Sequence, residues 1–152
     1  MLGVSPGNLK VTAAEIGGGF GGKTVIYLEP LAVRLSQRAG RPVKLVMDRD
    51  EVFRATGPTS GTRIRVKMGV SEDGKITAAE VWMAYEAGAF SGSPVGAAGM
   101  TAIACYDIPN FVVEGYDVVC NKPRVAAYRA PGAPMAAFAV ESVLDELARD
   151  IG

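Results

Sequence analysis

The chain has 152 residues, with 16 basic and 16 acidic side chains and no histidine. That length suits one domain with a true core, and the balanced charge argues against nucleic acid or an anionic membrane as the main partner. Without histidine there is no Ser-His-Asp triad, no Cys-His pair and no imidazole zinc site, so chemistry must rest on a cofactor, on carboxylates or on residues outside the chain.

No apolar run reaches the ~20 residues of a bilayer span. The first residues also lack a basic segment followed by an apolar one. The expectation is a soluble, cytoplasmic protein with Cys105 and Cys120 as buried, reduced thiols. Gly3 follows the first residue almost at once, and Asp150-Ile151-Gly152 comes straight after an amphipathic helix. Both ends read as cut, which predicts a single domain, residues 1–152, taken from a longer subunit.

In chain order, Leu9 to Ile16 reads as a strand ending at a glycine loop. A helix starting near Tyr27 carries Leu28, Leu31, Ala32, Leu35 and Ala39 on one face and stops at Gly40. Pro42 opens a short apolar strand, Val43 to Met47. Asp48 and Glu51 form a capping-box pattern for a brief helix through Phe53. From Thr62 the period switches to two, with Ile64, Val66, Met68 and Val70 facing one way and Arg63, Arg65 and Lys67 the other. Asp73-Gly74 signals a tight turn, and a second strand runs from Lys75 to about Tyr85. A small-residue stretch, Gly88 to Ala104, leads into a helix from about Pro94. Turn chemistry at Cys105-Tyr-Asp-Ile-Pro-Asn110 precedes a strand over Phe111 to Val119. Asn121 to Pro134 has no period, and the last helix has Val140, Val143, Leu144 and Leu147 on one face. The pattern predicts an α+β fold in two layers, a mixed sheet with a long antiparallel hairpin and packed helices.

The most informative segment is Ile16-Gly-Gly-Gly-Phe-Gly-Gly-Lys23-Thr24, in which five of six consecutive positions are glycine. A backbone without Cβ atoms can bring its amides close to an anionic or metal-bound group. Gly17 to Gly22 fits the G-x-G-x-x-G of a dinucleotide fold, and Gly17 to Thr24 fits the G-x-x-x-x-G-K-T of a phosphate loop. A ligand-free glycine turn is the third reading. A phosphate loop needs a helix beginning at its lysine, and Pro30 delays that helix. An amphipathic hairpin does not belong in the parallel sheet of a dinucleotide fold. A second constrained loop, Ala127-Tyr128-Arg129-Ala130-Pro131-Gly132-Ala133-Pro134, presents one arginine among small, rigid residues.

Taken together, the two loops resemble the molybdenum-cofactor subunit of the xanthine oxidase (molybdenum hydroxylase) family. In that family a G-G-F-G-G-K loop and an A-[YF]-R-x-x-G-x-P loop close on the metal and its pterin. Gly40-Arg-Pro-Val-Lys-Leu45 and Tyr106-Asp-Ile-Pro-Asn110 are similar to family stretches in the same order, so the likeness covers nearly the whole chain. The resemblance implies a molybdenum–molybdopterin cofactor in its cytosine dinucleotide form, with 2Fe-2S clusters and FAD on partner subunits or domains. It places the amides around Gly18, Gly19, Phe20 and Gly21 against the cofactor and Arg129 near the metal site as a fixed positive charge. Phe20, Thr24 and Pro131 become candidates for the substrate pocket, no side chain ligates the metal directly, and Lys23 holds the loop. Members hydroxylate a carbon with oxygen from water. Their general-base glutamate lies in a second cofactor-binding region that this chain lacks, so the chain alone should be inactive.

Three departures bear on substrate. Purine-oxidising relatives have glutamate where this chain has Thr24, and an arginine in the stretch that here reads Pro94 to Gly99. The family's carbon monoxide dehydrogenases have cysteine where this chain has Ala130. An aldehyde or an N-heterocycle remains as the expected substrate. A non-catalytic module built on the same fold is the alternative.

Overall fold

A computed structural model describes residues 2–57 and 59–152. The period-two segments form the sheet. Strand β1 (Thr62–Val70) pairs antiparallel with β2 (Ile76–Gly88), from Thr62 opposite Tyr85 to Val70 opposite Ile76. The turn closes where Asp73-Gly74 predicts it, with Gly74 N–H donating to Ser71 O at 2.8 Å and Ser71 N–H to Lys75 O at 2.9 Å. Strand β3 (Phe111–Val119) adds to the other edge of β2 in parallel, giving the order β1-β2-β3 in a mixed sheet.

Alternation along β2 sorts its side chains onto two faces. Ala79, Val81, Met83, Tyr85 and Ala87 are buried on one face, under helices α3 (Val95–Thr101) and α4 (Ala133–Ile151). Small residues let the layers approach: Ala98 and Ala136 are fully buried, and a Cβ on Gly115 of β3 would lie 2.7 Å from Val95 of α3. The other face stays open. There the Arg65 guanidinium lies 4.2 Å from the Trp82 ring, which packs against Tyr116 at 5.6 Å between centroids.

The first third of the chain is built differently. Helix α1 (Glu29–Ala39) ends on Gly40 at φ 64°, as expected, but begins two residues later than Tyr27, with Pro30 in its first turn. Helix α2 (Arg49–Ala55) carries the full capping box, Glu51 N–H to Asp48 Oδ1 at 2.8 Å and Asp48 N–H to Glu51 Oε2 at 2.9 Å. Neither helix buries a residue. The two expected strands, Leu9–Ile16 and Val43–Met47, do not form. Both segments have strand-like composition, yet no described strand lies beside either, and a strand exists only through its ladder. Their apolar residues are left bare, Val11 at 90% exposure and Val46 at 74%. The thiols also differ from expectation: Cys105 is exposed and Cys120 half-buried, neither in a disulfide. Among the described residues no helix is long and apolar enough to cross a membrane.

Candidate functional site: two converging loops

The glycine loop closes on itself. Gly22 N–H donates to Gly19 O at 2.8 Å and Thr24 N–H to Gly21 O at 3.2 Å. Lys23 Nζ reaches back to Ile16 O at 2.6 Å, the loop-holding role expected of it. Gly17, Gly18 and Gly21 take φ of 68°, 111° and 97°, conformations that a Cβ would strain. The Phe20 ring folds over Gly18, where an added Cβ would lie 3.3 Å from it, and remains 64% exposed.

The second loop lies against the first. Arg129 N–H donates to Phe20 O at 2.7 Å, joining residues more than 100 positions apart in sequence. A Cβ on Gly21 would sit 2.9 Å from Ala127 O, so only glycine permits this approach. Among the described residues, only two other than glycine have positive φ, Phe20 at 50° and Ala130 at 55°. One lies in each loop, at the junction, and such backbone typically stores about 1–3 kcal/mol held by its surroundings. The Arg129 loop is in turn tied to the core, because the buried Tyr85 hydroxyl donates to Gly132 O at 3.0 Å just before α4.

This junction leaves a concentrated set of free groups. Among the described residues, the amides of residues 17 to 21 meet no protein acceptor, although Gly22 and Thr24 beside them do. Successive unpaired amides are donors suited to an anionic or electron-rich oxygen or sulfur group. Arg129 is exposed, and its guanidinium makes no ion pair among the described residues. The donor set therefore fits a cofactor carrying oxo, dithiolene and phosphate acceptors.

The expected residues divide by position. Gly18, Gly19, Phe20, Gly21 and Arg129 meet at one place through the Arg129–Phe20 bond. Thr24 spends its hydroxyl on Gly21 O at 2.8 Å, and it lines a cavity of about 640 Å³ with Tyr27, Gly57 and Arg124. Pro131 is half-buried ahead of α4. Helix α1 starts six residues beyond Lys23, so the loop's amides do not open a helix as a phosphate loop requires.

Two participants escape sequence reading. The Tyr27 hydroxyl donates to Gly22 O at 3.1 Å and accepts from Gly57 N–H at 3.0 Å. Gly57 in turn fits tightly against the second loop, where its Cβ would lie 2.5 Å from Ala126 Cβ. Only the sequence placement of Gly57 beside a proline hinted at a constrained backbone there.

Comparison with known proteins bears on this arrangement. Residues 1–152 match the family described as molybdopterin cofactor-binding domain. The chain is 34% identical over 149 residues to a putative xanthine dehydrogenase molybdenum-binding subunit of Escherichia coli, covering 95% of this chain and 20% of that protein. It is 28% identical over 155 residues to the nicotinate dehydrogenase large molybdopterin subunit of Eubacterium barkeri, covering 100% of this chain and 36% of that one. Among solved structures, quinoline 2-oxidoreductase from Pseudomonas putida superimposes with a TM-score of 0.79 at 30% identity, over 91% of this chain and 18% of that one. The chain thus spans between about one fifth and one third of the length of these relatives.

Proposed function

The chain belongs to the molybdopterin cofactor-binding domain family, and from that premise we propose that its two loops form one wall of a molybdenum hydroxylase active site. The observation that carries the reading is the junction of the loops, Arg129 N–H on Phe20 O at 2.7 Å beside a row of free amides. When bound, the molybdenum–pterin cofactor supplies two-electron oxidation of a substrate carbon, with the oxygen drawn from water.

The residues of this chain act around it. Amides of Gly18, Gly19, Phe20 and Gly21 donate to its acceptor atoms, where fixed donors need no reorganisation as charge develops. Arg129 contributes a positive charge at the same place. The exposed Phe20 ring offers an apolar wall that keeps water from one side of the substrate. Thr24, whose hydroxyl is already engaged, presents no charge toward a purine, and Pro131 adds none. That favours an uncharged aldehyde or an N-heterocycle. The proton-accepting carboxylate comes from another region of the subunit.

The finer parts of the proposal follow the family resemblance. They are the cytosine dinucleotide form of the pterin, electron transfer to 2Fe-2S and FAD partners, and a cytoplasmic location, which the two unpaired cysteines support. The test is Arg129→Ala in the complete subunit. Turnover of an aromatic aldehyde or N-heterocycle should fall by ~10²–10³, the usual effect of losing one such charge-stabilising group, while the melting temperature stays near wild type. Unchanged turnover with unchanged molybdenum content would remove Arg129 from the site.

A further inference from the structure

The glycine loop does not hold its position through a core. Helix α1, which follows it, packs on no other element among the described residues, and α1 and α2 bury nothing. Something else must fix the height of the free amides. Tyr27 is placed for this role. Its hydroxyl is used in both senses, donating to Gly22 O at 3.1 Å and accepting from Gly57 N–H at 3.0 Å. It lines two cavities beside the loop, of about 500 and 640 Å³.

The contacts close into a ring. From Tyr27 the path runs through Gly57 to Ala126, where only glycine fits. It continues along the chain to Ala127, whose carbonyl oxygen would lie 2.9 Å from a Cβ on Gly21, and returns through Gly22 O to the Tyr27 hydroxyl. The Arg129–Phe20 bond is a second closure across the same ring. The tyrosine is itself oriented by its own amide, which donates to Glu29 Oε2 at 2.9 Å. Hydrogen bonding from the backbone of Glu29 itself, and then from that of Tyr27, also draws the Glu29 carboxyl below its usual 4.5.

We propose that Tyr27 is a positioning residue, clamping the glycine loop to the Arg129 loop so that the amides of residues 18 to 21 face the bound cofactor. The inference rests on the functional reading above for its cofactor half and on geometry alone for the clamp.

The experiment uses Tyr27→Phe in the complete subunit, which keeps the ring and removes only the hydroxyl. Hydrogen exchange of the cofactor-free protein should quicken about tenfold at the bonded amides of Gly22, Thr24, Gly57 and Arg129, the loss of one to two net hydrogen bonds, with β2 unchanged. In the loaded enzyme the Mo(V) electron paramagnetic resonance spectrum should shift at unchanged molybdenum content, a change that mere loss of stability does not produce. Exchange within twofold of wild type overturns the clamp. A shifted exchange pattern with an identical Mo(V) spectrum overturns the positioning of the cofactor. A wild-type enzyme without molybdenum defeats the functional reading itself, while the exchange arm still decides the clamp. Gly57→Ala strikes the bridge from its other end and decides the matter where Tyr27→Phe does not accumulate, with faster exchange at the Gly22, Thr24 and Arg129 amides expected and unchanged exchange overturning.

Discussion

Replacing Gly132 by alanine tests how firmly the core carries the Arg129 loop. Gly132 sits at φ 82°, and a Cβ there would lie 2.4 Å from Pro94 O and 3.0 Å from Ala98 Cβ. The neighbour cannot yield cheaply, because Pro94 O already accepts Ala98 N–H at 3.0 Å in the first turn of α3. Nor can the residue back away without lengthening the bond from the buried Tyr85 hydroxyl to Gly132 O. Left-handed backbone for alanine, overpacking against α3 and the weakened hydrogen bond together predict a loss of about 3–5 kcal/mol. At this chain length that is a fall of roughly 10 °C in melting temperature. Trp82 is the only tryptophan, so urea melts of the chain followed by its fluorescence report the sheet directly. Gly96→Ala provides the contrast. Gly96 lies within α3 with nothing within 4 Å of its Cβ position, and a helical alanine there should add about 0.5–1 kcal/mol. A Gly132→Ala loss below ~1 kcal/mol, or a Gly96→Ala loss as large as it, would refute the reasoning.

Tyr85→Phe should cost about 1–2 kcal/mol by urea melt, because the buried Gly132 carbonyl loses the hydroxyl that it accepts; a cost near zero would mean that water replaces it. Asp117 holds the loop ahead of α3: the Ser93 hydroxyl, beside the carboxylate without meeting hydrogen-bond geometry, and the Gly92 and Ser93 amides at 2.8 and 2.9 Å draw its carboxyl below the usual 3.8. A depressed value in the folded state means that this stability is present above the unfolded value and lost as pH falls through the folded one. Asp117→Asn should therefore cost about 1 kcal/mol at neutral pH, reduced by solvent screening of an exposed carboxylate, and nothing once the pH is well below 3.8; a pH-independent difference in denaturation midpoints would remove the charge from the explanation.

The last two thirds of the chain were legible because their signals are local. Ile64, Val66 and Met68 alternate with cations, Asp73-Gly74 supplies the turn, and the register follows from these two facts without distant information. Leu9–Ile16 and Val43–Met47 carry the same kind of composition and form no strand, because composition favours an extended backbone while a ladder needs a neighbour. Nothing within either segment states whether that neighbour is at hand.

The site divides along the same line. Glycine announces itself where a Cβ has no room or φ is positive, so Gly17, Gly18, Gly21 and Gly132 were readable. The strain at Phe20 and Ala130 was not, since neither residue type prefers positive φ and only surrounding contacts can hold it there. Tyr27 was equally silent. Its two partners are Gly22, five residues away, and Gly57, thirty residues away, and a hydroxyl's use depends on what the fold brings to it. Phe20 and Ala130 stand next to or at the two ends of the single bond that joins the loops, from Arg129 N–H to Phe20 O. That bond, the Gly21–Ala127 contact and the Tyr27 bridge are therefore the contacts able to hold the strained backbone, and the neighbouring amides beside them stay unpaired. Strain and free donors meet at this junction, which is why a change at Tyr27, remote from the cofactor-facing surface, should be felt there.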